Sequence, residues 1–387
     1  MDKFSARTKR IVLWVLVGAL AIGIAWAGWK YLLRPWLFPP SPLVVTPKVG
    51  LEQLQAKSLY YTSEARDYLR ALRPDLLAED DRTPEQGPRA NGYAQATQDV
   101  GLFEALNGRY QFDTLLLLGD VSTFPNLLSH LLEREPEKRV FHLVYVDHWM
   151  MVFKRGNVRD WTPADLGDLR AKMSSLHADD RARFLAKTAD RVRVIGYVPE
   201  AKQWLDEAMA ADSSSPDALA GMAGYYITAK QWAEAEKYAD KALEEAPDYP
   251  AALQRKYTAN MGNKHVIDAF KVSEKLMKMF PNNPAQLLQH ASVAHSAHRY
   301  DAEAAALEKY LALAAAQGRI DGIYEFGAAK AYAMMATQTK VGMDKNVDLA
   351  VQHFRKALKT EVLTQEQRED AIETLKKAAQ AQAERKK

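Results

Sequence analysis

The 387-residue chain has no cysteine. That excludes disulfides, a thiolate nucleophile and any metal site built on sulfur ligands, and it suits a protein exported to an oxidising compartment. Excess charge is lacking too. The formal net charge is +3, and residues 1–10 supply all of it, with Lys3, Arg7, Lys9 and Arg10 against Asp2. The remainder is neutral overall, which argues against a nucleic-acid partner because phosphate backbones select a basic face. No phosphate-binding loop, glycine-rich dinucleotide turn, G-x-S-x-G or H-E-x-x-H pattern occurs, so the common cofactor and hydrolase signatures are missing. No cofactor and no metal are expected, and the chain reads as a non-enzyme.

The longest uncharged run is Ile11 to Trp29. A helix of ~20 residues at ~1.5 Å rise spans the hydrocarbon core of a bilayer. Apolar residues continue to Leu33, and Trp26, Trp29, Tyr31 and Trp36 supply aromatic anchors at one interface. The expectation is a single-pass signal anchor over 11–33, following a cytoplasmic basic segment at 1–10. The bulk of the chain would then lie outside the cytoplasm, on the periplasmic face of a bacterial inner membrane. Ala25-Trp26-Ala27 also has the form of a cleavage site, so removal after Ala27 is the competing reading; the run exceeds an ordinary signal-peptide core. Gly18, Gly23 and Gly28 would let another membrane helix approach closely. Residues 34–50, with Pro35, Pro39, Pro40, Pro42 and Pro47, read as a semi-rigid extended linker.

A small α/β domain is expected over 51–178. Leu51, Leu54, Leu59, Ala65 and Leu69 recur near helical spacing and predict a helix from Leu51 to Leu72. Glu79 to Gly92 reads as a polar loop. Phe112 to Leu118 is short and continuously apolar, as in a strand buried on both faces. Phe124 to Leu132 is amphipathic. Val140–Val146 and Trp149–Phe153 read as strands joined at Asp147-His148, and Thr162-Pro163 as a helix start. Asp147-His148 could be an acid–base pair, and Asp113 and Asp120 flank the buried strand where α/β folds often place carboxylates. The plainer reading of each is a polar turn or a cap.

From Ala182 onward one helix-pair pattern returns every 34 residues. One unit carries Pro216, Leu219, Met222, Ala223 and Tyr226 on its first helix, Ala235, Ala239 and Ala242 on its second, and Pro247 after it. One step on stand Leu253, Tyr257, Ala269, Leu276 and Pro281. A further step gives Leu287, Ala291, Ala294, Leu307 and Tyr310. One step back gives Leu185, Ala189, Ala201, Leu205 and Ala208. Small residues sit where helices cross closely, and larger ones fill between them. This pattern resembles the tetratricopeptide repeat (TPR) superfamily over roughly residues 180–360, which implies stacked antiparallel helix pairs forming an α-solenoid. The departures are Glu303 at a small position, Ala315 at a proline position, and a degenerate last unit with Tyr332, Ala350, Phe354 and Ala357 after a long inter-helix loop, Thr337 to Asn346. The solenoid is placed at 179–362 and a solvating C-terminal capping helix at 363–387. The fold class is thus mainly α: an N-terminal transmembrane helix, a small α/β domain and a C-terminal TPR-like α-solenoid.

The resemblance implies protein partners held along the first helices. Residues expected to face that groove are Ala186, Asp190 and Arg193, then Ala220, Gly224 and Ile227, then Gln254, Thr258 and Met261, then Leu288, Ser292 and His295. The paired Lys/Asn clamp of chaperone-binding repeats is missing. An apolar-groove mode of capture is expected instead. His290, His295 and His298 cluster on one first helix, and the last two could share a face as a metal pair; surface or groove histidines are the plainer reading. A second resemblance covers residues 112–155. The strings FDTLLLLGD, LLSHLLE and VFHLVYVDHWMMVFKR look like the soluble tail of bacterial multi-pass membrane glycosyltransferase-like proteins. This chain has one membrane segment and no multi-pass region, so the resemblance implies an extracytoplasmic accessory domain and no transferase activity. The functional expectation is a membrane-anchored extracytoplasmic scaffold that assembles or stabilises a membrane or envelope complex. The alternative is an accessory or degenerate glycan-processing enzyme with the α/β domain as its active part.

Overall fold

The computed structural model describes residues 54–62, 65–77, 96–97, 99–119, 121, 124–132, 139–162, 173 and 176–384 except 317, 319 and 339–342. The predicted membrane segment at 11–33, its flanking segments at 1–10 and 34–50, the 79–92 loop and the helix start at Pro163 lie outside these residues. Among the described residues no helix is long and apolar enough to cross a membrane. The chain divides into two compact units, Met1–Ser175 and Leu176–Lys387.

The first unit is built on a four-stranded sheet: β1 (Leu59–Tyr61), β2 (Thr114–Leu118), β3 (Phe141–Val146) and β4 (Met150–Arg155), in the order β1-β2-β4-β3. All five residues of β2 are buried. The strand lies between β1, which runs parallel to it with Tyr60 opposite Leu115, and β4, which runs antiparallel with Leu116 opposite Val152. That central place is why its sequence is continuously apolar instead of alternating. Among the described residues, helices α1 (Ala65–Leu72), α2 (Val100–Tyr110) and α3 (Pro125–Leu132) and a 3-10 turn, Pro74–Leu77, accompany the sheet.

One expectation fails here, and one helix is additional to those expected. The helix predicted over Leu51–Leu72 is a strand followed by a shorter helix. Leu59-Tyr60-Tyr61 favours a pleated surface, and the Thr62 hydroxyl extends the pairing by donating to the Leu118 carbonyl while accepting from its N–H, both at 2.9 Å. Leu54, Ala65 and Leu69 share one apolar cluster with Leu116 and Val152, which produces a helix-like spacing across two different elements. Helix α2 was not anticipated, although Asp99 is an ordinary N-cap that accepts from the Leu102 N–H at 3.1 Å.

The second unit consists of helix pairs: α4 (Ala178–Val194) and α5 (Val198–Ala211), α6 (Pro216–Thr228) and α7 (Trp232–Glu245), α8 (Pro250–Gly262) and α9 (Val266–Met279), α10 (Pro284–Ser296) and α11 (Tyr300–Ala316), α12 (Gly322–Gln338) and α13 (Met343–Leu358), closed by α14 (Gln365–Glu384). The period is written into the backbone. Pro216, Pro250 and Pro284 each open a first helix, where a missing N–H costs nothing. Gly196, Lys230, Lys264 and His298 each turn the chain into the second helix with positive φ: 106°, 57°, 63° and 56°. At each turn the next residue's N–H bonds a carbonyl five residues back, as Gln231 does to Tyr226 and Arg299 to Ala294. Ala201, Ala235 and Ala269 are fully buried at the helix crossings. Beyond the last pair, Thr364 and Gln367 form a reciprocal capping box at 3.2 and 3.0 Å that starts α14. Its Ala371 packs with Ala329, Ala350 and the fully buried Phe354. Truncating Phe354 to Ala would cost about 3–5 kcal/mol and uncouple this cap.

Candidate partner-binding groove

First helices α4, α6 and α8 pack directly on one another, whereas each second helix packs between its own first helix and the first helix of the next repeat. The first helices are therefore the inner layer of the solenoid. Glycine makes close packing around α6 possible, against second helix α5 at Gly221 and against first helices α4 and α8 at Gly224. A methyl on Gly221 would lie 2.5 Å from Leu205 Cδ2, and one on Gly224 would lie 3.1 Å from Arg255 Nε and 3.3 Å from Asp190 Oδ1.

The space above Gly224 holds a charge network that joins three consecutive repeats. Arg255 on α8 reaches back to α4 and donates from Nη2 to both Asp190 oxygens, at 2.9 and 3.0 Å. Arg193, one turn along α4, donates to Asp190 Oδ1 at 2.6 Å from Nη2, and to the Thr228 hydroxyl of α6 at 2.7 Å from Nη1. Side-chain exposure is only 16% for Asp190, 10% for Arg193 and 22% for Arg255. Burial alone would raise the Asp190 pKa; Arg255 and Arg193, with Arg191 behind them, hold it well below the ordinary carboxylate range. A second hub lies on the same helices. Asp217 accepts from Tyr249 Oη at 2.5 Å and from Arg183 Nε at 3.2 Å, with Lys187 Nζ at 3.8 Å.

The groove residues expected from the repeat do not behave alike, and Ala186 and Ala220 are buried. Asp190, Arg193 and Gly224 come together as described. Ile227 on α6, Thr258 on α8 and Ser292 on α10 leave surface exposed, with Ser292 the most open. Gln254 donates to Gln289 of α10 at 3.3 Å, bridging two first helices. Met261 and Leu288 are only partly free, since each packs into an inter-repeat apolar cluster. His295 turns back to its own repeat, with Nδ1 at 3.0 Å from Glu303. The expected groove was mostly neutral; its N-terminal end is charged. Arg255, Thr228, Asp217, Arg183 and Lys187 were missed. Arg183 and Asp217 stand one repeat apart at the same register position, and a glycine between oppositely charged positions was the available signal for Arg255.

The proposed histidine pair does not form. His298 occupies the left-handed turn after α10 and meets Tyr300 Oη at 3.0 Å. His290 is buried against Phe270 and bonds the Ser273 hydroxyl at 2.8 Å. Burial lowers the His290 pKa, while burial of Glu303 raises its carboxyl and His295 partly offsets that. Among the described residues no group of three or more His, Asp or Glu side chains is arranged to hold a metal ion.

Of the catalytic candidates of the first unit, Asp147 and His148 stay together, with His148 Nδ1 3.8 Å from Asp147 Oδ1, whereas Asp113 and His148 separate. Asp113 stands at the start of β2, beside Arg155. His148 stands in the β3–β4 turn, near Gly119 at the far end of the same strand. At ~3.4 Å per residue they are about 20 Å apart. Asp120 lies outside the described residues. Asp147 is fully buried, and its carboxylate accepts from the N–H groups of Trp149 and Met150 at 2.7 and 2.8 Å and from Tyr145 Oη at 3.1 Å. It therefore fixes the turn. Burial, then the Asp147 charge, push the Tyr145 phenol far above its ordinary pKa.

A tetratricopeptide repeat model matches residues 198–257, the stretch that runs from α5 into α8. Residues 198–257 therefore match the tetratricopeptide repeat. Several solved structures resemble about half of the chain. MamA of AMB-1 is 17% identical over 49% of this chain and 96% of its own, with a TM-score of 0.39. MamA 41-end from Desulfovibrio magneticus RS-1 is 17% identical over 46% and 93%, with a TM-score of 0.37. YrrB, described as a TPR protein with an unusual peptide-binding site, is 16% identical over 51% and 98%, with a TM-score of 0.38. No curated protein sequence matches the chain.

Proposed function

We propose that this chain is a membrane-anchored, extracytoplasmic scaffold whose first-helix groove holds a segment of a protein partner, and so assembles or stabilises a membrane or envelope complex. The observation that carries the groove is the Asp190–Arg193–Arg255 network. It ties three repeats together, and the Gln254–Gln289 bond carries the floor on to α10, so that Ile227, Thr258 and Ser292 are presented at set positions and little ordering is left to cost affinity on binding. The anchor rests on the uncharged run Ile11–Trp29, within the apolar stretch 11–33 behind a basic terminus.

The test is co-purification of the full-length chain from its native membrane in mild detergent, beside an Ile227→Glu/Thr258→Glu/Ser292→Glu variant. A stoichiometric partner set lost in the variant supports the groove; an unchanged set refutes it. Extraction of the wild type by alkaline carbonate, without detergent, would refute the anchor. The glycan-processing alternative needed Asp113, Asp120 and His148 around one pocket. With Asp113 and His148 at opposite ends of β2, no observation favours it.

A further inference from the structure

The end of the solenoid holds a cluster that neither the groove nor the repeat pattern explains. His353 on α13 is buried, with 4% of its side chain exposed, and both ring nitrogens face carboxylates from other helices. Nδ1 lies 2.5 Å from Glu325 Oε2 of α12, and Nε2 lies 2.9 Å from Glu308 Oε1 of α11. Tyr332 of α12 stacks on the ring at 5.7 Å between centroids and donates its hydroxyl to the same Glu308 oxygen at 3.1 Å. Lys356, one turn along α13, stands 3.6 Å from Glu325 Oε1. The remaining ion pair where α12 meets the cap, Lys330 with Asp370 of α14, is self-contained.

A neutral imidazole has one N–H and can satisfy only one of these two carboxylates; the imidazolium satisfies both. Charge leads to the same protonation state. His353 and Lys356 as cations balance Glu308 and Glu325 as anions, whereas a neutral ring leaves two carboxylates facing one lysine. We propose that His353 is a proton-operated clasp, which when charged docks α13 onto α11 and α12 and when neutral releases the terminal repeat and its cap.

The sign follows from the environment. Burial alone would lower the His353 pKa, but the bonds to Glu325 and then Glu308 outweigh it, so the folded value lies above the ordinary 6.5. The stabilisation is complete below 6.5 and is lost as pH rises through the raised folded value. Tyr332, pushed up to about 12 by burial and by Glu308, stays protonated throughout. Loosening of α13 would uncover the apolar faces of Ala329, Phe354 and Ala371.

The test is hydrogen exchange on the full-length chain between pH 6 and 9, corrected for intrinsic rates, together with nitrogen NMR of the His353 ring. Expected is selective loss of protection in α12–α14 as pH rises, about tenfold for each unit by which the folded pKa exceeds the unfolded one. His353→Gln should show weaker, pH-independent protection there. Because that variant could disturb packing, Glu308→Gln gives a second check: it should move the ring's titration to lower pH with α13 still folded. A ring midpoint at or below 6.5 in the wild type, or the same pH dependence in His353→Gln, would overturn the proposal.

Discussion

Asp190→Asn removes the single charge on which Arg193 and Arg255 converge while keeping size and shape. Breaking a desolvated ion pair from one side costs about 3–5 kcal/mol, because the partner's charge stays behind uncompensated. Here two guanidiniums are left, but the three side chains keep 10–22% exposure and water can recover part of the loss, so the expected cost is about 3 kcal/mol. Denaturant unfolding of the full-length chain, with hydrogen exchange assigning the change to α4, α6 and α8, measures it. Combining the change with Arg255→Gln should cost less than the two singles summed, with a coupling of about 1–3 kcal/mol. A depressed carboxyl contributes stability above its ordinary 3.8 and loses it as pH falls below. The gap between wild type and Asp190→Asn should therefore close in acid. A variant within about 0.5 kcal/mol of wild type at pH 7, or a gap unchanged on acidification, would refute the network as the tie between repeats.

Other substitutions probe the same architecture. Lys230→Gly and Lys264→Gly relieve a left-handed conformation that costs a residue with a Cβ about 1–2 kcal/mol; after the entropy of the added glycine, each should raise stability by about 0.5–1 kcal/mol in thermal unfolding. Gly262→Ala should do the opposite. Its methyl would run into the Trp232 ring, and overpacking of about 1–3 kcal/mol exceeds the ~1 kcal/mol gain in helix propensity. His290 is held neutral by burial, so stability should fall as pH drops below 6.5, more steeply in wild type than in His290→Gln, on thermal unfolding scans between pH 7 and 5.

The repeat was legible because its signals are local and periodic. Prolines at 216, 250 and 284 and alanines at 201, 235 and 269 each report a fixed position in a helix pair. Even Glu303, a consensus violation, keeps its buried place by pairing with His295. Strand β2 was legible for the same reason, since five consecutive apolar residues have few other uses. Strand β1 was not, because Leu54, Ala65 and Leu69 serve one core from different elements and counterfeit a helical period. The charged end of the groove escaped because Arg255 and Asp190 are 65 residues apart, and no local pattern states that a long side chain crosses a glycine two helices away. Likewise His353, Glu325 and Glu308 belong to three helices, and only packing brings them to one point.

The central claim is that a partner segment lies on the first-helix face. A photo-crosslinking residue placed singly at Ile227, Thr258 or Ser292 of the full-length chain in its native membrane, with Lys241 and Glu244 on the exposed side of α7 as controls, tests it most directly. The account predicts the same partner polypeptide crosslinked from all three groove positions and from neither control. Equal crosslinking from the α7 positions, or none from the groove, would contradict it.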